Sequence, residues 1–192
     1  AASNGFAATR LGSSHSISVS VLAGEGTAME RDYDYALSVY GEDLLDPELL
    51  GRSAGEKAVS RLNPRKVSTS QVPVIFDPRV SNSLLSHFSS AINGSSVARG
   101  TTFLKDKMYK KVFRPGINIF DDPLRVRGLR SREFDAEGIQ TSKQYLVENG
   151  ELKSWLLDLR SARQLKMETK GHASRGTSSS PSPSASNLYM EP

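Results

Sequence analysis

Cysteine is absent from the 192 residues of this chain, and histidine occurs only three times. Without cysteine there is neither a disulfide framework nor a thiolate metal site. No apolar run approaches the roughly 18 residues that a membrane-spanning helix needs. The first ten residues, AASNGFAATR, lack the basic start and apolar stretch of a secretory signal. We therefore expect a cytoplasmic protein that makes no membrane contact.

The sequence also lacks the short motifs of several enzyme classes. It contains no GxSxG nucleophile elbow, no phosphate-binding loop and no GxGxxG dinucleotide fingerprint. Serine is abundant, but no order of serine, histidine and aspartate predicts a catalytic triad. A stand-alone hydrolase is therefore not the favoured interpretation.

Charge is distributed unevenly along the chain. Residues 1–98 contain 8 basic and 10 acidic side chains, whereas residues 99–175 contain 17 basic and 10 acidic ones, a net charge of +7. A basic half attracts nucleic acid or an acidic partner. Here the cations alternate with acids and no aromatic pattern runs beside them, so a solvated surface is favoured over direct nucleic-acid binding.

Local patterns predict strands and two helices. Residues 15–22 alternate apolar side chains with serines, which indicates a half-buried strand, and residues 33–40 are its expected partner. Asp46-Pro47 and Asp77-Pro78 each combine a capping carboxylate with a proline suited to the first helical position. Residues 72–76 are expected to form a short apolar strand. The second helix is expected to bury Val80, Leu84, Phe88, Ala91 and Ile92.

Asn149-Gly150 is the clearest hairpin signal, because a type I′ turn needs positive φ at both central residues. A short helix is expected within residues 161–165. Together these patterns predict an α+β fold, mainly an antiparallel sheet with two capped helices packed on it. We expect residues 1–192 to form one domain.

Four segments resemble a single protein family. They are residues 24–62, 70–80, 133–143 and 169–192, and the third contains the pattern FDxEGxxT as Phe134, Asp135, Glu137, Gly138 and Thr141. In this order they are similar to the TldD/TldE family and, within it, to the TldE branch, also called PmbA or modulator of DNA gyrase. Family members are longer, so the chain is expected to be a central-to-C-terminal piece truncated at both ends.

The resemblance implies that this chain lacks a metal site that its relatives of the TldD branch possess. In that branch the second helix carries HExxxH, whose histidines hold zinc and whose glutamate acts as general base. Aligned on Leu84-Leu85, the two ligand positions fall on Ser86 and Ala91, and the glutamate position falls on His87. Serine and alanine cannot replace two imidazoles, so we expect no metal, no cofactor and no catalytic residue here.

The three histidines and two acid pairs are the remaining candidates for chemistry. His15 is expected to be a core or edge residue, and His87 a packed, hydrogen-bonded one. His172 lies in a glycine-rich loop that resembles the groove side of the family, where substrate contact and an ordinary loop role stay open. By this resemblance the peptide groove would include Gly171, His172, Arg175 and Asn187. The pairs Asp121-Asp122 and Asp135/Glu137 are expected to be structural, as turn formers or caps.

The resemblance implies a non-catalytic subunit of a two-component zinc metalloprotease that acts on unfolded peptides. A TldD-like partner would supply zinc, base and water, and effects on DNA gyrase would follow indirectly; self-association stays open. One alternative is a nucleic-acid- or gyrase-binding module, for which the basic half is the motive. Another is a stand-alone hydrolase that uses His172 and an acid.

Overall fold

The computed structural model describes residues 5–191, which group into two compact units. The smaller unit contains residues 11–74. The larger contains residues 5–10 and 75–191. No helix among the described residues has the length and apolar character needed to cross a membrane.

The smaller unit is a hairpin covered by one helix. Strands β1 (His15–Ala23) and β2 (Glu30–Ser38) pair antiparallel, and helix α1 (Pro47–Ser60) packs on both. Asp46 caps α1 as expected, because its carboxylate accepts from the amides of Glu48 and Leu49. The alternating burial predicted for β1 is also confirmed.

Ion pairs hold α1 against β2. Lys57 and Ser53 both donate to the Asp34 carboxylate, at 2.5 and 2.6 Å. These two bonds lower the pKa of Asp34 from 3.8 to about 2. Arg61 at the end of the helix pairs with Asp32 at 3.2 Å. The helix is therefore fixed on the hairpin by charge as well as by its apolar face.

The larger unit contains the remaining elements. Its helices are α2 (Pro78–Ala91), α3 (Gly94–Ala98) and α4 (Leu159–Leu165). Its strands are β3 (Ile119–Asp121), β4 (Gln144–Glu148), β5 (Glu151–Leu152), β6 (Ala173–Ser174), β7 (Ser182–Pro183) and β8 (Leu188–Met190). The order β5-β4-β3-β8 forms one antiparallel sheet, and β6 pairs with β7. The predicted α+β class with antiparallel sheet is confirmed.

The Asn149-Gly150 turn joins β4 to β5 as the sequence predicts. Both residues have positive φ, 47° and 80°. A side chain at Gly150 would also place a Cβ atom 2.5 Å from the Phe113 carbonyl oxygen. Glycine is therefore required by both the turn and its packing.

One local prediction is wrong, and another is wrong in part. Residues 72–76 pair with no strand among residues 5–191, and Ile75 is exposed; Pro73 lacks the N–H that a ladder requires. Helix α2 begins at Pro78 as predicted, but Leu84 is 51% exposed and Val80 equally so. Phe88 and Ile92 are buried as predicted, and Ala91 packs against the core together with Leu85, because the core covers only the C-terminal part of α2.

Candidate functional site

The outer side of α2 borders a polar cleft of about 380 Å³. We call it the serine cleft. Its polar lining comprises Asn82, Ser86, Ser89, Ser90, Arg130 and Ser186, and its apolar lining comprises Leu85, Ala185 and Leu188. It therefore lies between α2 and the chain that enters β8.

The helical wall of the serine cleft arises from spacing. Residues 82, 86, 89 and 90 recur at intervals of three and four, which places them on one face of α2. The Ser86 hydroxyl donates to the Asn82 carbonyl at 3.2 Å, and the Ser90 hydroxyl to the Ser86 carbonyl at 3.0 Å. Both hydroxyls therefore face the cleft mainly as acceptors, whereas Ser89 and the Asn82 amide keep donors available.

A buried carboxylate anchors the opposite wall. Asp121 Oδ1 accepts from the backbone N–H of Ser186 at 2.7 Å and from its hydroxyl at 2.9 Å. Asp121 is only 1% exposed. Burial raises its pKa, and the two bonds from Ser186 only partly oppose that rise. Asp121 thus has a structural role, as expected, at the back of the cleft.

Asn187 positions Arg130 at the rim. Its Oδ1 accepts from the Arg130 backbone N–H at 3.0 Å, and its Nδ2 donates to the carbonyl of Asp122 and the hydroxyl of Ser131. A Cβ at Gly128 would lie 2.7 Å from Asn187 Nδ2, so the loop closes tightly around this amide. The polar atoms of Asn187 are used within the fold.

The Arg130 side chain is exposed. No hydrogen bond or ion pair joins it to any other of residues 5–191. No carboxylate lines the serine cleft beside it. The cleft therefore offers one uncompensated positive charge together with hydroxyl and amide groups.

Ser86 and Ala91, which the resemblance aligns with the metal ligands of the TldD branch, do not share this cleft. Ser86 lines it, whereas Ala91 faces a neighbouring shallow cleft with His87, Thr101 and Thr102. Thr102 closes that side by donating its hydroxyl to the Ala91 carbonyl at 2.6 Å. Within residues 5–191, no three or more histidine, aspartate or glutamate side chains are grouped so that they could hold a metal ion.

His172 is buried, with 2% of its surface exposed. Its Nδ1 accepts from the Leu157 N–H at 3.4 Å, and its Nε2 contacts the Gln144 side-chain amide. Burial lowers the pKa of His172 to about 4, and the Arg132 charge adds to this effect. At neutral pH the ring is uncharged and enclosed, so in this structure it does not reach a peptide.

Asp121, His172 and Ser186 lie together but are not arranged as a catalytic triad. His172 Nε2 lies 3.7 Å from Asp121 Oδ2. The Ser186 hydroxyl donates to Asp121 and not to the imidazole that would have to activate it. This geometry disfavours a stand-alone hydrolase.

The FDxEGxxT segment forms a hydrogen-bonded turn that is joined to β6. Asp135 Oδ1 accepts from the amides of Glu137 and Ile139, and Oδ2 accepts from Ala173 at 2.9 Å. The expectation of a structural role for Asp135 is confirmed. Glu137 likewise accepts from the Leu159 N–H at the start of α4.

The other proposed groove residues differ in exposure. Gly171 is buried with φ 84°, and a Cβ there would lie 2.8 Å from Thr141 Cγ2. Arg175 is exposed in the segment that joins β6 to β7. Of Gly171, His172, Arg175 and Asn187, only Arg175 presents an exposed side chain, and its role in a groove stays a prediction.

The remaining histidines lie at surfaces. His15 is exposed at the start of β1, as an edge histidine. His87 is also exposed, at the rim of an apolar pocket of about 250 Å³ that Phe88, Phe103 and Phe113 help to line. The expectation of a packed, hydrogen-bonded His87 is wrong, because the neighbouring Phe88, and not His87, packs into the core.

Comparisons with known proteins identify the family. The sequence model of the PmbA/TldA metallopeptidase central domain matches residues 1–62, and that of the C-terminal domain matches residues 69–192. The chain belongs to the PmbA/TldE family. Residues 11–62 of the first match lie in the smaller unit, and residues 75–191 of the second lie in the larger one.

Relatives in the PmbA/TldE family are considerably longer. The metalloprotease PmbA of Escherichia coli O157:H7 is 40% identical over 88% of this chain, and its homologue from Haemophilus influenzae is 40% identical over 89%. These matches span 37% and 38% of the relatives. The chain therefore spans little more than a third of their length.

Solved structures show the same fold. A protein from Bacteroides thetaiotaomicron, described as a candidate modulator of DNA gyrase, superposes with a TM-score of 0.86 at 29% identity, over 98% of this chain and 41% of its own. TldE from Thermococcus kodakarensis superposes with a TM-score of 0.79 at 24% identity, over 93% of this chain and 40% of its own. At this identity the similarity establishes only a shared fold.

In this member of the PmbA/TldE family, the residues that complete the serine cleft are not among those predicted from the sequence. Asn82 and Ser89 share the spacing of Ser86, so the polar face of α2 was a usable signal. Arg130 and Ser186 had none, because they reach the cleft through contacts between segments more than 50 residues apart.

Proposed function

We propose that this chain is part of a TldE/PmbA-like subunit that lacks a metal of its own and completes a zinc metalloprotease. A TldD-like partner supplies zinc, base and water, and unfolded peptides in the cytoplasm are the substrates. Effects on DNA gyrase follow indirectly from proteolysis. The names of the PmbA relatives support the proteolytic role.

One observation carries the proposal. Ser86, which corresponds to the first metal ligand of the TldD branch, here lines an open cleft together with other hydroxyls, an amide and a guanidinium, while Ala91, at the second ligand position, faces a neighbouring cleft. These groups bind peptide backbone and carboxylates, whereas zinc prefers imidazole, thiolate and carboxylate ligands. The site is therefore suited to holding a peptide rather than to activating water.

Co-purification with a TldD-like partner, followed by a peptidase assay, tests the proposal. We expect cleavage of an unfolded peptide only by the complex, and its loss with a zinc chelator. The matched control is a complex whose partner carries glutamine in place of the HExxxH glutamate, which should assemble but not cleave. Cleavage by this protein alone, or about one tightly held zinc per chain in it, would contradict the proposal.

The alternative, a nucleic-acid-binding module, has one observation in its favour. The sheet formed by β3, β4 and β8 brings Phe120, Tyr145 and Tyr189 together, with Lys143 and Arg125 beside them. Aromatic rings with cations are the elements of single-strand binding surfaces. Here, however, both cations lie over the protein's own rings. Affinity for single-stranded DNA that falls steeply with salt would favour this alternative.

A further inference from the structure

The serine cleft has the polarity of a site for an anionic group. Its lining contains one charged side chain, Arg130, and no carboxylate. The nearest buried acid, Asp121, is turned to the back of the wall, where Ser186 occupies its Oδ1. The only net charge that faces the cleft among the described residues is therefore positive.

The size of the cleft fits part of a peptide. Its volume of about 380 Å³ lies near the lower end of the roughly 300–1,000 Å³ that ligand pockets occupy. Leu85, Ala185 and Leu188 provide an apolar lining on which a side chain can pack. The Ser89 hydroxyl and the Asn82 amide, whose donors are not used within residues 5–191, then face the polar end of the ligand.

The main chain of Arg130 is fixed by the fold, whereas its side chain is not used by it. Its backbone N–H is fixed by Asn187, while its guanidinium has no partner among residues 5–191. A guanidinium binds a carboxylate through two parallel hydrogen bonds, and Ser89 and Asn82 on the opposite wall can add donors. The donors thus come from two sides of the cleft.

We propose that the serine cleft binds a carboxylate group of a peptide, with Arg130 as its counter-charge. This inference rests on the proposed peptide-processing function and names the group that the subunit recognises. The carboxylate is either the C-terminus of the peptide or an aspartate or glutamate side chain. The subunit would then hold one acidic point of a peptide while the partner cleaves elsewhere.

Three fluorescent peptides of one unstructured, acid-free sequence test the proposal by fluorescence polarisation with the purified protein. The first ends in a free carboxylate, the second in an amide, and the third in an amide with a single internal glutamate. We expect the first or the third to bind at least tenfold more tightly than the second. Which of the two does so identifies the source of the carboxylate.

The Arg130→Gln variant should lose this preference, with affinity for the carboxylate peptide falling roughly 10- to 100-fold, as for other hydrogen bonds to charged groups. Arg130→Lys should restore part of it. Arg160→Gln is the matched control, since Arg160 is exposed on α4 and does not line the cleft. Arg130 is also exposed, so neither change should alter folding.

Equal binding of all three peptides, or an unchanged preference in Arg130→Gln, would overturn the inference. Because the assay contains neither partner nor zinc, its result is independent of cleavage. A complex that cleaves but shows no carboxylate preference refutes the inference alone. A carboxylate preference without cleavage by any complex refutes the proposed function alone.

Discussion

Replacing Asp121 separates the role of its charge from that of its hydrogen bonds. In Asp121→Ala, the buried N–H and hydroxyl of Ser186 lose their acceptor and a small void remains. An unsatisfied buried donor costs about 1–3 kcal/mol. With the void and the second donor included, we expect the free energy of unfolding to fall by about 2–4 kcal/mol.

Asp121→Asn should behave differently. The asparagine oxygen can still accept both bonds from Ser186, and only the charge is lost. Because burial raises the pKa of Asp121, ionisation of this carboxyl opposes folding above its unfolded-state pKa, so removal of the charge relieves that cost. The attraction to Arg132 is lost at the same time. We therefore expect a change of about 1 kcal/mol or less.

Urea unfolding followed by tryptophan fluorescence measures both changes. The single tryptophan, Trp155, is buried in the core of the larger unit, so its emission reports on the unit that contains Asp121. Equal destabilisation by the two variants would refute the reasoning, because it would make the charge, and not the acceptor, the stabilising feature. In the peptide assay, Asp121→Asn should keep the carboxylate preference, whereas Asp121→Ala should weaken it as Ser186 shifts.

Three further predictions concern other parts of the molecule. Ile92→Ala should lower the free energy of unfolding by roughly 2–5 kcal/mol, because the Ile92 side chain is fully buried. Leu84→Ala should lower it by about 1 kcal/mol or less, since Leu84 is already half exposed to solvent. Similar urea midpoints for the two variants would contradict this. The lowered pKa of Asp34 stabilises the fold above about pH 4, and this contribution of about 1 kcal/mol, after allowance for solvent screening, should be lost as the pH falls from 4 to 2. In thermal melts, Lys57→Met should reduce that loss of stability. An unchanged pH profile would show that the Lys57–Asp34 pair is not stabilising. In the reconstituted complex, Arg175→Ala should raise the KM for peptide with little change in kcat, while partner binding and zinc content stay constant. An unchanged KM would show that Arg175 does not contact the substrate.

Features determined by neighbouring residues could be predicted from the sequence. The Asp-Pro starts of α1 and α2, the alternation in β1 and the Asn149-Gly150 turn all depend on contacts within a few residues. Capping, pleat periodicity and positive φ are local properties, so they can be predicted without the fold. The family could also be predicted from the sequence, because the order of its motifs is a property of the sequence, and this prediction was confirmed.

Tertiary structure decided everything that depends on distant segments. Leu84 lies in an apolar pattern, yet it stays exposed because the core covers only one end of α2. His172 lies in a glycine-rich loop, yet it is buried beside Gln144. Burial depends on what packs against a segment, and local periodicity does not contain that information.

The serine cleft shows most clearly which features the sequence determines and which depend on the tertiary structure. The sequence by itself determined that residues 86 and 91, where the resemblance predicts metal ligands, are serine and alanine, and residue type alone decides which side chains can hold zinc. Only the tertiary structure brought Arg130 and Ser186 to the face of α2 that carries Ser86, through Asn187 and Asp121. A buried hydrogen bond between residues more than 50 positions apart forms only when the whole unit folds, and those bonds give the cleft its charge and shape.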